Sequence, residues 1–305
     1  MNETLKDNQL SEKPSKWKVF LRRSLSTVLL WGIVLSPGFL HPHPLGDYIF
    51  LLLMILLSTL GLMEFYRMAE RKGLHSYRGM AISFGIILLT STFFYLTEHW
   101  GRSAAPSRAS DFECGILVLF VLGLCLRQLF SRIPNSGLNS IAITLFGLMY
   151  IPWLLNFIQK IYFFTGISGF FYVFYFIIVT KFSDMGAYLT GSLIGKHKVI
   201  PRISPGKTWE GLAGAVIFSV GISILCFYLI GNHLQGMTLI NSLILGAILS
   251  ISAVIGDLIE SLFKRESGLK DSGGVFPGIG GILDLLDSIL FNAPLMYLYL
   301  RHIIH

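Results

Sequence analysis

The feature that most limits what this chain can fold into is a succession of nine apolar windows. They lie near residues 24–40, 47–64, 79–96, 112–131, 139–157, 167–189, 210–230, 238–262 and 282–300. A helix needs roughly 20 mostly apolar residues to cross about 30 Å of hydrocarbon, and these windows meet that length to within a few residues. The first is cut short by Pro37 and follows a basic stretch from Lys16 to Arg23. It would also read as a signal peptide, but no A-x-A-like cleavage site follows it. Composition points the same way: 53% of the 305 residues are hydrophobic and 13% are charged, against about 25% charged in soluble domains. Too little polar surface is available for a water-soluble globule, and disorder requires the opposite composition. The expectation is an all-α, polytopic integral membrane protein of about nine transmembrane helices.

Lysine and arginine set the orientation, because short cytoplasmic loops carry the excess of them. The N-terminal tail holds Lys6, Lys13, Lys16, Lys18, Arg22 and Arg23, while 37–46 holds none. The alternation continues: Arg67, Arg71, Lys72 and Arg78 lie on one side, and Lys160 alone occupies the fifth connection. Lys196, Lys198, Arg202 and Lys207 fill the sixth connection, and Lys264, Arg265 and Lys270 fill the eighth. A cytoplasmic N-terminus follows. The net charge of +7 is therefore a membrane-topology signal, and no nucleic-acid partner is expected. Cys114, Cys125 and Cys226 lie singly in apolar stretches, which excludes a disulfide framework or a zinc site.

Chemistry concentrates in the second half, which suggests an N-terminal transmembrane region over 1–165 and a C-terminal catalytic region over 166–305. Eight of the 17 acidic residues fall between 184 and 287, several of them inside apolar windows. Charges placed there usually face a cavity, a partner or an ion. At 100° per residue Asp257, Glu260, Ser261 and Lys264 share one helical face. That face reads as an interfacial salt bridge or as part of a site. Asp284 and Asp287 project together from the start of the last window. They read as helix-start acids interacting with the helix dipole, or as hard oxygen ligands for Mg²⁺. Asp287, a turn deeper, favours the metal. The segment from Ser183 to Gly211 is basic, hydroxyl-rich and glycine-containing, and it leads into a helix, which suits phosphate. Gly206-Lys207-Thr208 is no P-loop, because Pro201 stands where glycine is needed. His197, between lysines, reads as a loop residue.

On these segments the sequence resembles the phosphatidate cytidylyltransferases, or CDP-diacylglycerol synthases. Their pattern S-x-x-K-R-x4-K-D is matched by Ser261, Lys264, Arg265, Lys270 and Asp271. Their P-G-H-G-G-x-x-D-R-x-D is matched by Pro277, Gly278, Gly280, Gly281, Asp284 and Asp287. D-x-x-A-Y-x-x-G runs from Asp184 to Gly191, and I-S-P-x-K-T-x-E-G from Ile203 to Gly211. Ile279 and Leu285 replace the pattern's histidine and arginine. The first 165 residues agree with the family only in being apolar spans.

The resemblance implies that CTP and phosphatidic acid give CDP-diacylglycerol and pyrophosphate. It assigns catalysis to Lys264, Asp284 and Asp257, and metal binding to Asp257, Asp284, Asp287 and Asp184. Substrate phosphates fall to Ser204, Lys207, Thr208, Lys196, Arg265 and Lys270. The implied cofactor is Mg²⁺, with room for a second cation. The implied partners are CTP, phosphatidic acid and membrane lipid, with a homodimer left open. The expected setting is a bacterial inner (plasma) membrane, with the active site facing the cytoplasm in a cavity between spans six, eight and nine. The alternatives are a CTP-dependent lipid kinase of the dolichol kinase type, which adds one phosphate to its lipid, and an ion-coupled transporter. A CDP-alcohol phosphotransferase is set aside, since Asp184 to Tyr188 lacks that family's glycine spacing and arginine.

Overall fold

A computed structural model describes residues 44–97, 106–131, 137–269 and 280–304, together with 32, 36–38 and 273. Among these, eight helices are long and apolar enough to cross a membrane. In chain order they are α1 (Pro44–Arg71), α2 (Arg78–Leu96), α3 (Pro106–Leu129), α4 (Gly137–Tyr162), α5 (Gly169–Ile194), α6 (Trp209–Ile230), α7 (Leu239–Glu266) and α8 (Ile282–Tyr299). They coincide with the eight expected windows from 47–64 onward. The ninth expected window, 24–40, lies almost wholly outside the described residues. Hydrocarbon offers backbone groups no partner, so long apolar segments satisfy themselves as helices. The protein is a multi-pass membrane protein.

Two local features shape the bundle. Inside α4, Met149–Trp153 forms a π-helical turn around Pro152, whose missing N–H breaks the regular ladder. In the second half, α5, α6 and α7 pack consecutively, and α8 lies against α7, α5, α4 and α1. Small residues let α5 and α6 approach closely, as membrane helix pairs generally require. A Cβ on Gly211 would stand 3.0 Å from the Ala187 carbonyl oxygen. Hydroxyls then join the helices: Ser183 to Ser250 at 2.9 Å, Ser219 to the Gly246 carbonyl at 2.8 Å, and Asn292 to Thr180 at 2.6 Å.

The first half holds a charge that the sequence placed in a connection. Lys160 lies inside α4, and its Nζ is 2.5 Å from Glu113 of α3, with side chains only 2% and 3% exposed. Asn156 donates to Glu113 at 3.0 Å and to Thr92 at 3.1 Å, while Phe157 offers its ring face to the ammonium. Pairing explains why a lysine is tolerated at this depth.

Candidate active site

The site begins at a hairpin between α5 and α6. Val199 N–H donates to the Lys207 carbonyl at 3.1 Å and Trp209 N–H to the His197 carbonyl at 2.9 Å, with one bridge pairing Lys198 and Thr208. Glu210 fastens its base by accepting from the Lys196 and His197 amides at 3.1 and 3.2 Å and pairing with His197 Nδ1 at 2.6 Å. His197 is thus a hairpin residue. Thr208 is the N-cap of α6, accepting from Gly211 N–H at 3.1 Å, as the residue type favours. The hairpin covers a cavity of about 370 Å³ whose wall includes Asp184, Tyr188, Ser204, Lys207, Thr208 and Asp257. That wall comes from α5, the hairpin, α6 and α7. The expected cavity between spans six, eight and nine is corrected in this respect, because α8 stands behind the wall and supplies acids next to it.

The acids and lysines beside the cavity interleave. Lys207 Nζ lies 2.8 Å from Asp257 and 3.1 Å from the Val254 carbonyl. Lys264 pairs with Glu260 one turn earlier and, at 2.5 Å, with Asp284 Oδ1 of α8. Lys181 Nζ lies 3.4 Å from Asp184 and 3.2 Å from both Ser288 Oγ and the Leu285 carbonyl. Asp184, Asp257 and Asp287 are close enough to repel one another, and Glu260 is close enough to be repelled by both Asp284 and Asp287. Five carboxylates against three ammonium groups leave a formal charge of two negatives, the complement of one divalent cation.

Backbone details make this crowding fit. A Cβ on Gly256 would sit 2.5 Å from the Asp287 carbonyl oxygen, so only glycine lets α7 bring Asp257 and Glu260 against α8. Gly280, at φ +110°, turns the chain into α8 where a side chain would meet the Asp284 carboxylate. Asp284 Oδ2 accepts from Gly281 N–H at 2.7 Å.

Of the sequence candidates, the structure brings Asp257, Asp284, Asp287, Asp184, Lys207 and Lys264 together. Ser204 and Thr208 line the cavity. Arg265 donates to the Ile203 carbonyl of the hairpin at 3.3 Å, and Lys196 is exposed. Lys270 lies outside the described residues, as does Ile279. One carboxylate oxygen each from Asp257, Glu260 and Asp287 lie within 4.8 Å of one another. The donors are the hard oxygens that Mg²⁺ takes, and their spread is of the order of the roughly 4.2 Å that separates opposite ligands of an octahedral ion. Glu260 is fully buried, with Lys264 beside its Oε2 and no hydrogen-bond partner at Oε1, which leaves that oxygen open to an ion. Glu260 was legible on the helical face but not assigned a role. Lys181 was missed, since a lone lysine in an apolar window carries no motif.

Glu64 of α1 was missed as well. It is 1% exposed, and its two oxygens accept from Ile282 N–H at 3.0 Å and Leu283 N–H at 2.8 Å. The N-terminal region therefore reaches the helix that carries Asp284 and Asp287.

The fold is that of a polytopic membrane protein, and the comparisons with known proteins make it a transferase. The chain belongs to the cytidylyltransferase family, which it matches over residues 25–303. It is 32% identical over 278 residues to the phosphatidate cytidylyltransferase of Staphylococcus saprophyticus, covering 91% of this chain and 98% of that one. Against the phosphatidate cytidylyltransferase of Staphylococcus haemolyticus it is 37% identical over 196 residues, or 64% and 74% of the two chains. Against the uncharacterized protein YnbB of Escherichia coli it is 30% identical over 293 residues, or 82% and 95%.

Proposed function

We propose that this protein is a phosphatidate cytidylyltransferase working at the cytoplasmic face of a bacterial inner membrane, with its N-terminus in the cytoplasm. An anionic oxygen of the phosphatidic acid headgroup attacks the α-phosphorus of CTP. The new P–O bond forms as the bond to the α,β-bridging oxygen breaks, and pyrophosphate leaves. The phosphate monoester is already ionised at neutral pH, so no general base is needed. The observation that carries this reading is the carboxylate–lysine cluster beside a cavity under a basic hairpin, in a chain aligned over nearly the whole length of a named relative.

Catalysis of such transfers rests on positioning and charge neutralisation. Lys207 reaches the cavity beside Asp257 and meets nucleotide phosphate, with the Ser204 hydroxyl next to it. Thr208 holds the hairpin at the start of α6, and Lys196 keeps the hairpin exterior positive for an approaching polyanion. Lys264, held between Glu260 and Asp284, stays charged and fixed, ready to offset negative charge at the leaving oxygens. Asp257, Glu260 and Asp287 would hold Mg²⁺, with Asp184 and Asp284 at the edge of the cluster for a second cation. An ion held there would supply Lewis-acid charge neutralisation for the transfer.

The test is pyrophosphate release by the purified protein in mixed micelles of phosphatidic acid with CTP and Mg²⁺, beside Asp257→Asn. Release that requires lipid, CTP and Mg²⁺ together, and vanishes in the variant, is expected. A well-folded wild-type protein that releases none would contradict the proposal.

A further inference from the structure

We infer that Glu64 is a positioning residue for the cytidylyl-transfer site, acting as the N-terminal clamp of α8. This rests on the reading of that site given above. The start of a helix leaves its first N–H groups without partners, and the residue before the helix commonly supplies a side-chain oxygen. Here that residue is Gly281, in ordinary extended backbone, and it has no side chain to offer. The amides of Ile282 and Leu283 are sealed from solvent, since those residues are 1% and 0% exposed. Glu64 takes both of them, one with each oxygen, from 218 and 219 residues away in sequence.

The consequence for the site runs through Asp284. With Glu64 occupying the Ile282 and Leu283 amides, Asp284 Oδ2 accepts from Gly281 N–H and its Oδ1 faces Lys264. Without Glu64, Asp284 is the neighbouring acceptor for two stranded amides inside a low-dielectric bundle, and it is drawn off Lys264. Asp287, one turn on, moves with the helix end. A second contact points the same way: Gly273 packs so tightly on the Glu64 carboxylate that a Cβ there would collide with Oε1. One side chain of α1 thus touches Gly273 and holds the first turn of α8. The negative charge also suits the positive end of the helix dipole.

The experiment uses the full chain in nanodiscs as wild type, Glu64→Gln and Glu64→Asp. Hydrogen exchange of peptides covering 280–286 is followed in metal-free protein, with α2 and α6 as internal controls. The Mg²⁺ concentration for half-maximal transfer and the KM for CTP at saturating Mg²⁺ are measured alongside. In Glu64→Gln, exchange rises at the start of α8 alone and the half-maximal Mg²⁺ concentration rises about 10- to 100-fold, the usual scale for an outer-sphere partner of a metal site. KM for CTP stays the same, and Glu64→Asp, which keeps the charge, recovers part of the loss. Exchange at 280–286 equal to wild type overturns the inference. So does a rise spread equally over α2 and α6, which would mark Glu64 as a general packing residue. If the wild type performs no transfer, the exchange arm still decides the clamp, and only the proposed reaction fails.

Discussion

Gly256→Ala isolates the contact that assembles the acid cluster. The added Cβ would lie 2.5 Å from the Asp287 carbonyl oxygen and 3.2 Å from its carbon. Both are backbone atoms, so no side-chain rotation relieves the clash. Carbon–oxygen contacts settle near about 3.3 Å, so α7 must move off α8 by about 0.8 Å. Metal-ligand distances hold to about 0.2 Å, and a misplacement of about 1 Å at a reacting centre costs on the order of 100-fold in rate. Turnover per folded molecule is expected to fall by about that factor. Gly246→Ala is the matched control: it overpacks the same helix, 2.8 Å from Val220 Cα, but away from the acids. Overpacking costs about 1–3 kcal/mol in either case, so both variants should melt earlier in detergent. Pyrophosphate release normalised to folded protein separates them. Equal turnover for the two variants, or near-wild-type turnover for Gly256→Ala, would refute the reasoning.

Breaking the Glu113–Lys160 pair with Lys160→Met strands a buried carboxylate and is expected to cost about 3–5 kcal/mol. Adding Glu113→Gln should restore most of the melting temperature, and a double variant no more stable than the single would contradict this. Leu285 stands where the family pattern has arginine, and it is 5% exposed, against Phe50, Met54 and Leu57. Leu285→Arg therefore places a charge among apolar side chains, at a cost of roughly 2.5–3.5 kcal/mol on insertion scales. A lower melting temperature with no gain in turnover is expected, whereas faster turnover at unchanged stability would show that arginine has a partner there.

How much of this was legible in the sequence follows the range of the interactions. The spans were legible because membrane thickness fixes how many consecutive apolar residues a helix needs, and α1 to α8 fall where that rule puts them. The face of Asp257, Glu260, Ser261 and Lys264 was legible because helix periodicity is local: Ser261 Oγ lies 3.4 Å from Asp257, and Lys264 reaches Glu260. What the periodicity could not show is partnership across helices. Lys264 bridges Asp284 of α8 and Glu260 of α7, and an oxygen of Glu260 lies near those of Asp257 and Asp287, which no spacing within one helix reveals. Lys160 looked like a loop residue because nothing local revealed Glu113. Glu64 lay in a half of the chain that carried no motif, and its partners are more than 200 residues distant. Gly281 was a clue, since a motif glycine before a helix marks a place where another part of the chain comes close.

The most direct measurement follows labelled phosphorus. CTP labelled at the α-position and CTP labelled at the γ-position are given separately to the purified protein with phosphatidic acid and Mg²⁺, and lipid is extracted. Cytidylyl transfer puts the α-label into lipid and the γ-label into aqueous pyrophosphate. Recovery of the γ-label in lipid, with the α-label left in CDP, would mean a lipid kinase and would contradict the proposed reaction.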